Sequence, residues 1–464
     1  MKSSDTQRAE PALLALAREA GALKLRSLPP EVLRQARQCT LDTLGCILAG
    51  SQTEEACLVL ACESEGAAGA RSASVYGTAH SRPLASALRI NGYLGDVLEL
   101  NDLIGGHASI GIVTVALGLA EAGDATLGET LEAVVRGIEV TARVYGAVYP
   151  SLKRFSDSAM VPVGIPSSIG AAAAASRLSI LDTAQTAHAM AIAGALAGWG
   201  PAEVVFGDGG SVKPMRFGAQ PAVAGLMAAD YAGCGMTGPP HLLESPLGYF
   251  ASVSRAPMLD TGPWAQHWAL AQPRRKLHAC CGYLHAAVDA VAQLHEATGD
   301  LHAAHALRIH VPPYTAEAVS KPQPPRSSND ARFHLQYCIA QAWRGADVIE
   351  PDHSIGFARH MMDAELRSAM ARVAVVPDAT LAHYQQCRVV ALDAHGAELQ
   401  ALRIDAPRGS PERPLSEHDV VAKFRRLAVP VIGPGRADRI AAQVMDSDLH
   451  APVRGWLADL RRDG

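Results

Sequence analysis

Lysine is scarce in this chain, and two lysines stand in segments that restrict the backbone. Seven of the 41 basic residues are lysines; Lys213 follows GDGGSV and precedes PMRFG, and Lys276 lies in PRRKLHACCGYLH. A lysine placed by neighbouring glycines and prolines is suited to meet an anionic ligand, or to transfer a proton once it is partly desolvated. The alternative is a solvated surface group, which we favour only for Lys321 in AVSKPQPP.

A histidine and several polar residues cluster in the segment NGYLGDVLELNDLIGGHAS. Glu99, Asn101 and Asp102 are followed by two glycines and then by His107, which directly precedes an apolar run with helical spacing. A histidine in this position can act as a general acid or base, and the alternative is a histidine that only caps the helix. Asp102 and His107 also suggest a metal site, but no third ligand lies at the spacing of an H-E-x-x-H motif. We predict that no metal is bound.

Other chemical motifs have little support. Cys280 and Cys281 are adjacent and lack C-x-x-C spacing, so we interpret them as packing residues and not as a redox or nucleophile site. The glycines of GDGGS match neither the dinucleotide-binding motif nor the P-loop, and the chain has no G-x-S-x-G elbow. The sequence therefore gives no reason to expect a nucleotide cofactor or a serine nucleophile.

The segments that must position these residues are mainly helical. From about Pro11 to Gly262, apolar residues recur at spacings of three and four, with many alanines and glycines. After about Trp268, four β-rich runs (ALRIHVPP, ARVAVVPD, QCRVVALDA, ELQALRIDA) alternate with helices, the last two forming a hairpin near Gly396, and from Ser416 the pattern is helical again. We predict a mainly α protein with a large all-helical domain of residues 1–268 and 410–464, and a smaller inserted α+β domain of residues 269–409.

Composition excludes several classes of partner. The 464 residues are 48% hydrophobic and 19% charged, with a net charge of -5 and no run of five like charges, so nucleic acid is not an expected partner. The most apolar run, from Ala187 to Gly200, is too short to cross a bilayer, and the N-terminus lacks the apolar stretch of a secretory signal. The nine cysteines show no paired spacing. We expect a cytoplasmic protein without disulfides or a membrane segment.

Taken together and in this order, the segments resemble the MmgE/PrpD family, which includes 2-methylcitrate dehydratase, cis-aconitate decarboxylase and iminodisuccinate epimerase. The likeness spans nearly the whole chain, and its most specific parts are K-P-x-x-x-G-x-Q, which begins at Lys213, and K-x-x-x-C-C-x-x-x-H, which begins at Lys276. The resemblance implies the same two-domain arrangement with a site in the cleft between the domains. It also implies a cofactor-free homodimer that acts on a small di- or tricarboxylate.

The resemblance also assigns site residues. The family's acidic motif falls on Glu99, Asn101 and Asp102, its histidine on His107, its motif lysine on Lys213, and its second basic motif on Lys276 with Cys280, Cys281 and His285. Several positions depart from the family pattern. Glu99 and Asn101 replace aspartates, Leu103 replaces a threonine, Arg216 replaces a histidine, and AMVPVGIPSSIG lacks the family's second histidine.

These residues predict a cofactor-independent enzyme that abstracts a proton α to a carboxylate. We expect His107 to be the leading acid or base, Asp102 to orient it, and Lys213 and Lys276 to neutralise substrate carboxylates and the developing enolate. Glu99, Arg216 and His285 are expected to contact the substrate, Arg216 by clamping a carboxylate. A hydro-lyase is the first choice; an epimerase, a decarboxylase, and a site-degenerate homologue that only binds an anion are the alternatives.

Overall fold

The computed structural model describes residues 10–63, 71–206, 210–298 and 300–462 of the chain, and α-helices dominate it. The helices are α1 Ala12–Ala22, α2 Pro30–Gly50, α3 Glu54–Cys62, α4 Leu84–Val97, α5 Ala108–Gly123, α6 Leu127–Val148, α7 Phe155–Ser158, α8 Ile165–Leu178, α9 Thr183–Leu196, α10 Glu203–Phe206, α11 Gln220–Gly233, α12 Tyr249–Val253, α13 His285–Thr298, α14 Pro313–Val319, α15 Ser328–Arg332, α16 Leu335–Trp343, α17 Asp352–Ile355, α18 Phe357–Met362, α19 Ala364–Ala371, α20 Glu417–Ile432, α21 Pro434–Asp446 and α22 Arg454–Leu457. The strands are β1 Ser72–Ser74, β2 Ser81–Pro83, β3 Ala306–Val311, β4 Val373–Pro377, β5 Cys387–Leu392 and β6 Glu398–Ile404.

Two hydrophobic cores divide the described residues. The larger core gathers helices from the first half of the chain together with α20 to α22, and the smaller core contains apolar residues between Cys280 and Ile404. Helix α20 packs directly on α2: a Cβ placed at Gly45 would lie 3.3 Å from both Phe424 and Leu427. The two chain ends therefore share one core. The exact boundaries at residues 268/269 and 409/410 stay a prediction.

The smaller core is built on a four-stranded sheet with the order β4-β3-β5-β6. Strand β3 pairs in parallel with β4 and antiparallel with β5, and β5 pairs antiparallel with β6. The four β-rich runs of the sequence are these four strands. The hairpin between β5 and β6 turns at Gly396, whose φ of 83° lies in the left-handed region that favours glycine.

The expectation that the larger domain is all-helical is wrong in one detail. Strands β1 and β2 form a short antiparallel hairpin that packs on α5, where the Ser74 hydroxyl donates to Glu121 at 2.6 Å. Three-residue strands such as SAS and SRP carry no alternation of apolar and polar residues that a sequence pattern could register.

Close backbone contact holds helix α4 against the segment that follows Lys213. Helix α4 crosses the π-helical segment Met215–Ala219, and a Cβ at Gly218 would lie 2.0 Å from the carbonyl oxygen of Gly92. Only glycines permit this approach, because any side chain would clash with the facing backbone. The contact brings the end of α4 next to Lys213.

Among the described helices, none combines the length and the apolar character needed to cross a membrane. All nine cysteines are free thiols.

Candidate active site

A cavity of about 360 Å³ is lined by residues of both cores. Tyr145, Val163 and Phe217 contribute from the larger core side, and Tyr283 and Phe333 from the smaller. The volume lies in the range of about 300 to 1,000 Å³ that is usual for small-molecule sites. Four residues predicted from sequence also line the cavity, namely Glu99, His107, Lys213 and Lys276.

His107 is held by Asp96, a residue that the sequence reasoning missed. The Nδ1 atom of His107 lies 2.9 Å from Oδ1 of Asp96, and it is also 2.9 Å from the Asn101 amide nitrogen. A carboxylate only accepts hydrogen bonds, so the Nδ1 proton points to Asp96 and the neutral ring keeps Nε2 free to accept a proton. His107 occupies the N-cap position of α5, but its side chain makes no capping hydrogen bond. The helix-capping alternative therefore does not describe this side chain.

The two predicted lysines meet at Glu99. Lys213 Nζ donates to Asp96 Oδ2 at 2.7 Å and to a carboxylate oxygen of Glu99. Lys276 Nζ donates to the other Glu99 carboxylate oxygen at 2.8 Å and to the Glu99 backbone carbonyl at 2.9 Å. Asp96, Glu99, His107, Lys213 and Lys276 thus form one connected group, which we call the charged cluster.

Burial and pairing set the proton affinities in the charged cluster. Burial lowers the pKa of Lys213 to about 8, although the neighbouring Asp96 carboxylate opposes this shift, and burial also lowers the pKa of Lys276. Burial would raise the pKa of Asp96, but Lys213 and His107 hold it below its usual range. At neutral pH, Asp96 is a carboxylate and Lys213 is mostly an ammonium.

Backbone strain and tight turns place the cluster. Glu99 has a φ of 54°, a left-handed conformation that costs a non-glycine residue roughly 1 to 3 kcal/mol and that is found where structure fixes a functional group. Gly105 and Gly106 also have positive φ, and a Cβ at Gly106 would lie 3.1 Å from Val163. The two glycines before His107 are therefore required by the turn.

A third buried lysine joins the segment of Glu99 to the segment of Lys276. Lys423, on α20, donates to the carbonyl oxygens of Lys276 at 2.7 Å and Leu100 at 2.9 Å. Its ammonium also lies 2.7 Å from Asp42 Oδ1, and both side chains are buried. Because Leu100 follows Glu99 directly, this contact positions both partners of the Glu99–Lys276 pair.

The predicted role of Asp102 does not agree with its position. Asp102 accepts a hydrogen bond from the Ser109 hydroxyl at 2.7 Å and from the Cys39 thiol at 3.3 Å, and it does not line the cavity. Burial raises its pKa. Asp96 makes the contact to His107 that was expected of Asp102, because the turn after α4 points Asp102 into the helical core.

Arg216 and His285 also lie outside the cavity lining. The Arg216 guanidinium lies between Gly164 and Gly200, where a Cβ at Gly164 would be 2.3 Å from Nη1, and Nη2 donates to the Gly198 carbonyl at 3.2 Å. Nε2 of His285 lies 3.3 Å from the Cys280 carbonyl oxygen, and burial lowers the pKa of His285 well below its usual range. In this structure neither side chain lines the cavity: Arg216 packs between two backbone segments, and His285 borders a separate space of about 20 Å³.

Arg274 and four tyrosines are cavity residues that the sequence reasoning missed. Arg274 lines the cavity, and its Nη1 donates to the Tyr384 hydroxyl at 3.1 Å. Arg274 stands two positions before Lys276 in the basic run PRRK, which was the available signal. Tyr145, Tyr149, Tyr283 and Tyr384, which we call the tyrosine wall, are far apart in the chain and gave no local pattern.

The donor atoms of Asp96, Glu99 and His107 lie within 4.8 Å of one another, as a metal site would require. The Lys213 ammonium, however, donates to both carboxylates. A divalent cation among these donors would stand beside a positive charge. The donor set does not fit a metal while Lys213 is protonated.

Cys281 reaches the cavity, whereas Cys280 does not. Burial raises the pKa of both thiols. A protonated thiol is a weak nucleophile.

Comparison with known proteins finds matches to most of the chain. Residues 14–261 match the MmgE/PrpD N-terminal domain and residues 278–449 match the MmgE/PrpD C-terminal domain. The chain is also similar to the cis-aconitate decarboxylase-like protein oryM of Aspergillus oryzae (strain ATCC 42149 / RIB 40), with 25% identity and 94% of each chain covered.

Proposed function

The chain belongs to the MmgE/PrpD family, and on that premise we propose that it is a cofactor-independent enzyme that removes a proton from the carbon α to a carboxylate. The observation that carries this proposal is the pairing of His107 with Asp96 next to two lysines in one cavity. Family membership supports an enzyme; the reaction and its residues are our proposal.

His107 is the proposed base. While Nδ1–H donates a hydrogen bond to Asp96, Nε2 accepts the α-proton, and the Asp96 carboxylate stabilises the imidazolium that forms. The electron pair left on carbon delocalises into the substrate carboxylate as an enolate. Lys213 and Lys276 stabilise that added negative charge, which is absent from the ground state.

Dehydration is the first choice for the fate of the enolate. Its electron pair forms a carbon–carbon double bond, the β carbon–oxygen bond breaks, and the departing hydroxide takes a proton to leave as water. Tyr145 is a candidate donor, because it lines the cavity and burial raises its pKa, so its hydroxyl stays protonated. The Lys213 ammonium is the other candidate.

Decarboxylation is the second candidate, favoured by the name of the similar protein from Aspergillus oryzae. In that reaction the carboxylate leaves as carbon dioxide and a protonated group returns a proton to the carbanion. Epimerisation is a third outcome, in which the α-proton is removed and returned. A homologue that binds an anion without turnover is the non-enzymatic alternative.

One experiment distinguishes these reactions. The protein is incubated in D₂O with malate, citrate, 2-methylcitrate, cis-aconitate and 2-butylmalate, and each mixture is followed by proton NMR. A dehydratase gives a new alkene signal, a decarboxylase gives the signals of an acid that has lost one carboxylate as carbon dioxide, and an epimerase gives deuterium at Cα without either product. If no acid in the panel exchanges a Cα–H or forms a product, the proposed function is wrong and the anion-binding alternative is favoured.

A further inference from the structure

The cationic side chains that line the cavity are not all paired with a carboxylate of the protein. Lys213 and Lys276 are paired with Asp96 and Glu99, so these two ammonium groups face two carboxylates. Arg274 is the exception: among the described residues it has no carboxylate partner, and its hydrogen bond goes to the neutral Tyr384 hydroxyl. The cavity therefore offers one cation whose charge is not already compensated by the protein.

The positive charge of Arg274 acts on groups beside the tyrosine wall. Burial and the Arg274 charge together lower the pKa of His383, whose ring lies 4.3 Å from that of Tyr384. The Tyr149 hydroxyl is 3.3 Å from His383 Nε2. A carboxylate that pairs with Arg274 would thus lie next to aromatic side chains.

The rest of the lining is uncharged and mostly apolar. Apart from the charged side chains of Glu99, Lys213, Arg274 and Lys276 and the imidazole of His107, the described lining residues are uncharged. The rings of Tyr145 and Tyr149 stack at 5.2 Å, and those of Tyr283 and Tyr384 are also 5.2 Å apart. The remaining lining residues include Leu152, Phe155, Val161, Val163, Val205 and Phe333.

We propose that the substrate is a dicarboxylate with an apolar alkyl or aryl substituent, an inference that rests on the proposed function and names its substrate class. One carboxylate pairs with Arg274, the carboxylate that activates the α-proton lies beside Lys213 and Lys276, and the substituent packs on the tyrosine wall.

Two physical arguments favour this class over an unsubstituted tricarboxylate. Arg274 pairs with one carboxylate and the two lysines face the other, so a third carboxylate would lose its water with no further lysine or arginine in the described lining, which is unfavourable. A small polar acid would also leave the aromatic and aliphatic lining in contact with water, whereas each buried methylene of a substituent should improve affinity about fourfold.

Binding of unreactive probes tests the inference. Calorimetry with wild-type protein compares succinate, methylsuccinate, butylsuccinate, phenylsuccinate and the tricarboxylate tricarballylate, none of which has a leaving group. We expect butylsuccinate to bind tenfold to about 60-fold more tightly than methylsuccinate, given its three extra methylenes. Phenylsuccinate shows whether an aryl group is accepted as well. The inference is overturned if succinate or tricarballylate binds as tightly as butylsuccinate, or if no substituted acid binds.

Two variants locate the subsites. Phe155→Ser should reduce the preference for butylsuccinate over methylsuccinate, because Phe155 lines the cavity, whereas Phe357→Ser outside the cavity should keep it. Arg274→Gln should weaken every dicarboxylate by a similar factor of tenfold or more and leave the preference unchanged. Arg425→Gln, at an ion pair with Asp438, is its matched control. Unaltered affinities in Arg274→Gln together with an unaltered preference in Phe155→Ser would contradict the placement.

Failure of this inference is distinguishable from failure of the proposed function. If the protein exchanges the Cα–H of citrate or malate but shows no preference for longer substituents, the inference fails and the function stands. If butylsuccinate binds tightly and no hydroxy acid exchanges deuterium, the apolar subsite stands and the proton-abstraction function fails.

Discussion

Asp96 Oδ1 lies 2.9 Å from Nδ1 of His107, and the second oxygen of the same carboxylate accepts from Lys213 at 2.7 Å. One carboxylate therefore sets the tautomer of the proposed base and holds the cation that would stabilise the enolate. Because Asp96 is completely buried, no water can replace it in either role. The proposed chemistry depends on this residue as much as on His107.

Asp96→Asn should lower kcat by about 100-fold or more. An amide keeps the shape but can present its nitrogen to His107 and so favours the wrong tautomer, and it removes the charge next to Lys213. The check is turnover of the panel acid that reacts, with circular dichroism to verify folding.

Asp102→Asn is the informative comparison, because Asp102 contacts Ser109 and Cys39 and does not reach His107. We expect this variant to lower the melting temperature, while its kcat stays close to that of the wild type. A larger loss of kcat in Asp102→Asn than in Asp96→Asn would restore Asp102 to the orienting role.

The rate should fall as pH rises through about 8. Burial lowers the pKa of Lys213 from its usual value to about 8, so the ammonium is present below this pH and is lost above it. The log of kcat/KM should decline above pH 8 with a slope approaching one. Lys213→Arg should remove this decline, since a guanidinium stays charged, while Lys153→Arg should keep it. A rate that rises through pH 8 would mean that neutral Lys213 is the base.

Lys423→Met should destabilise the fold by about 3 to 5 kcal/mol, because it leaves the Asp42 carboxylate buried and unpaired. Chemical denaturation measures the loss. Lys24→Met, at an exposed lysine, should change stability by less than about 0.5 kcal/mol. The double variant Lys423→Met with Asp42→Leu should recover part of the loss, and no recovery would show that the Asp42 charge is not the cause.

A chelator should not change the activity. The ammonium of Lys213 bonds to both carboxylates that a metal would need, so the charged cluster is already compensated. Turnover after dialysis against EDTA should equal turnover before it, and added Zn²⁺ or Mg²⁺ should not increase it. Loss of activity on dialysis and its return with one of these ions would contradict the arrangement.

The sequence predicted the elements well, because hydrophobic spacing is local. The four strands of the larger sheet and the return to helix near Ser416 follow directly from alternation and from the serine cap, which accepts from the backbone nitrogen of Asp419 in the structure. The short β1–β2 hairpin was missed, since three-residue strands carry no period.

The site was predicted only in part. The context of each segment and the resemblance to the MmgE/PrpD family predicted His107, Lys213, Lys276 and Glu99 as site residues, and the structure brings these residues together. Asp96 lies on the last turn of α4 among apolar residues, and only the fold reveals that this buried acid faces His107 and not the core. The motif position of Arg216 predicts a carboxylate clamp, whereas the structure has Arg274 in the cavity lining. Sequence spacing does not tell which side of a segment faces a cavity.

The most direct test of the proposed chemistry is the rate of α-proton exchange in His107→Gln. Glutamine keeps part of the size and hydrogen bonding of histidine but cannot accept a proton, so deuterium incorporation from D₂O into the reacting acid, followed by proton NMR, should be at least about 100-fold slower than in wild type. His395→Gln, at an exposed histidine, should exchange at the wild-type rate. Exchange in His107→Gln at a rate close to that of wild type would contradict the proposed chemistry, because the base would then be a different group.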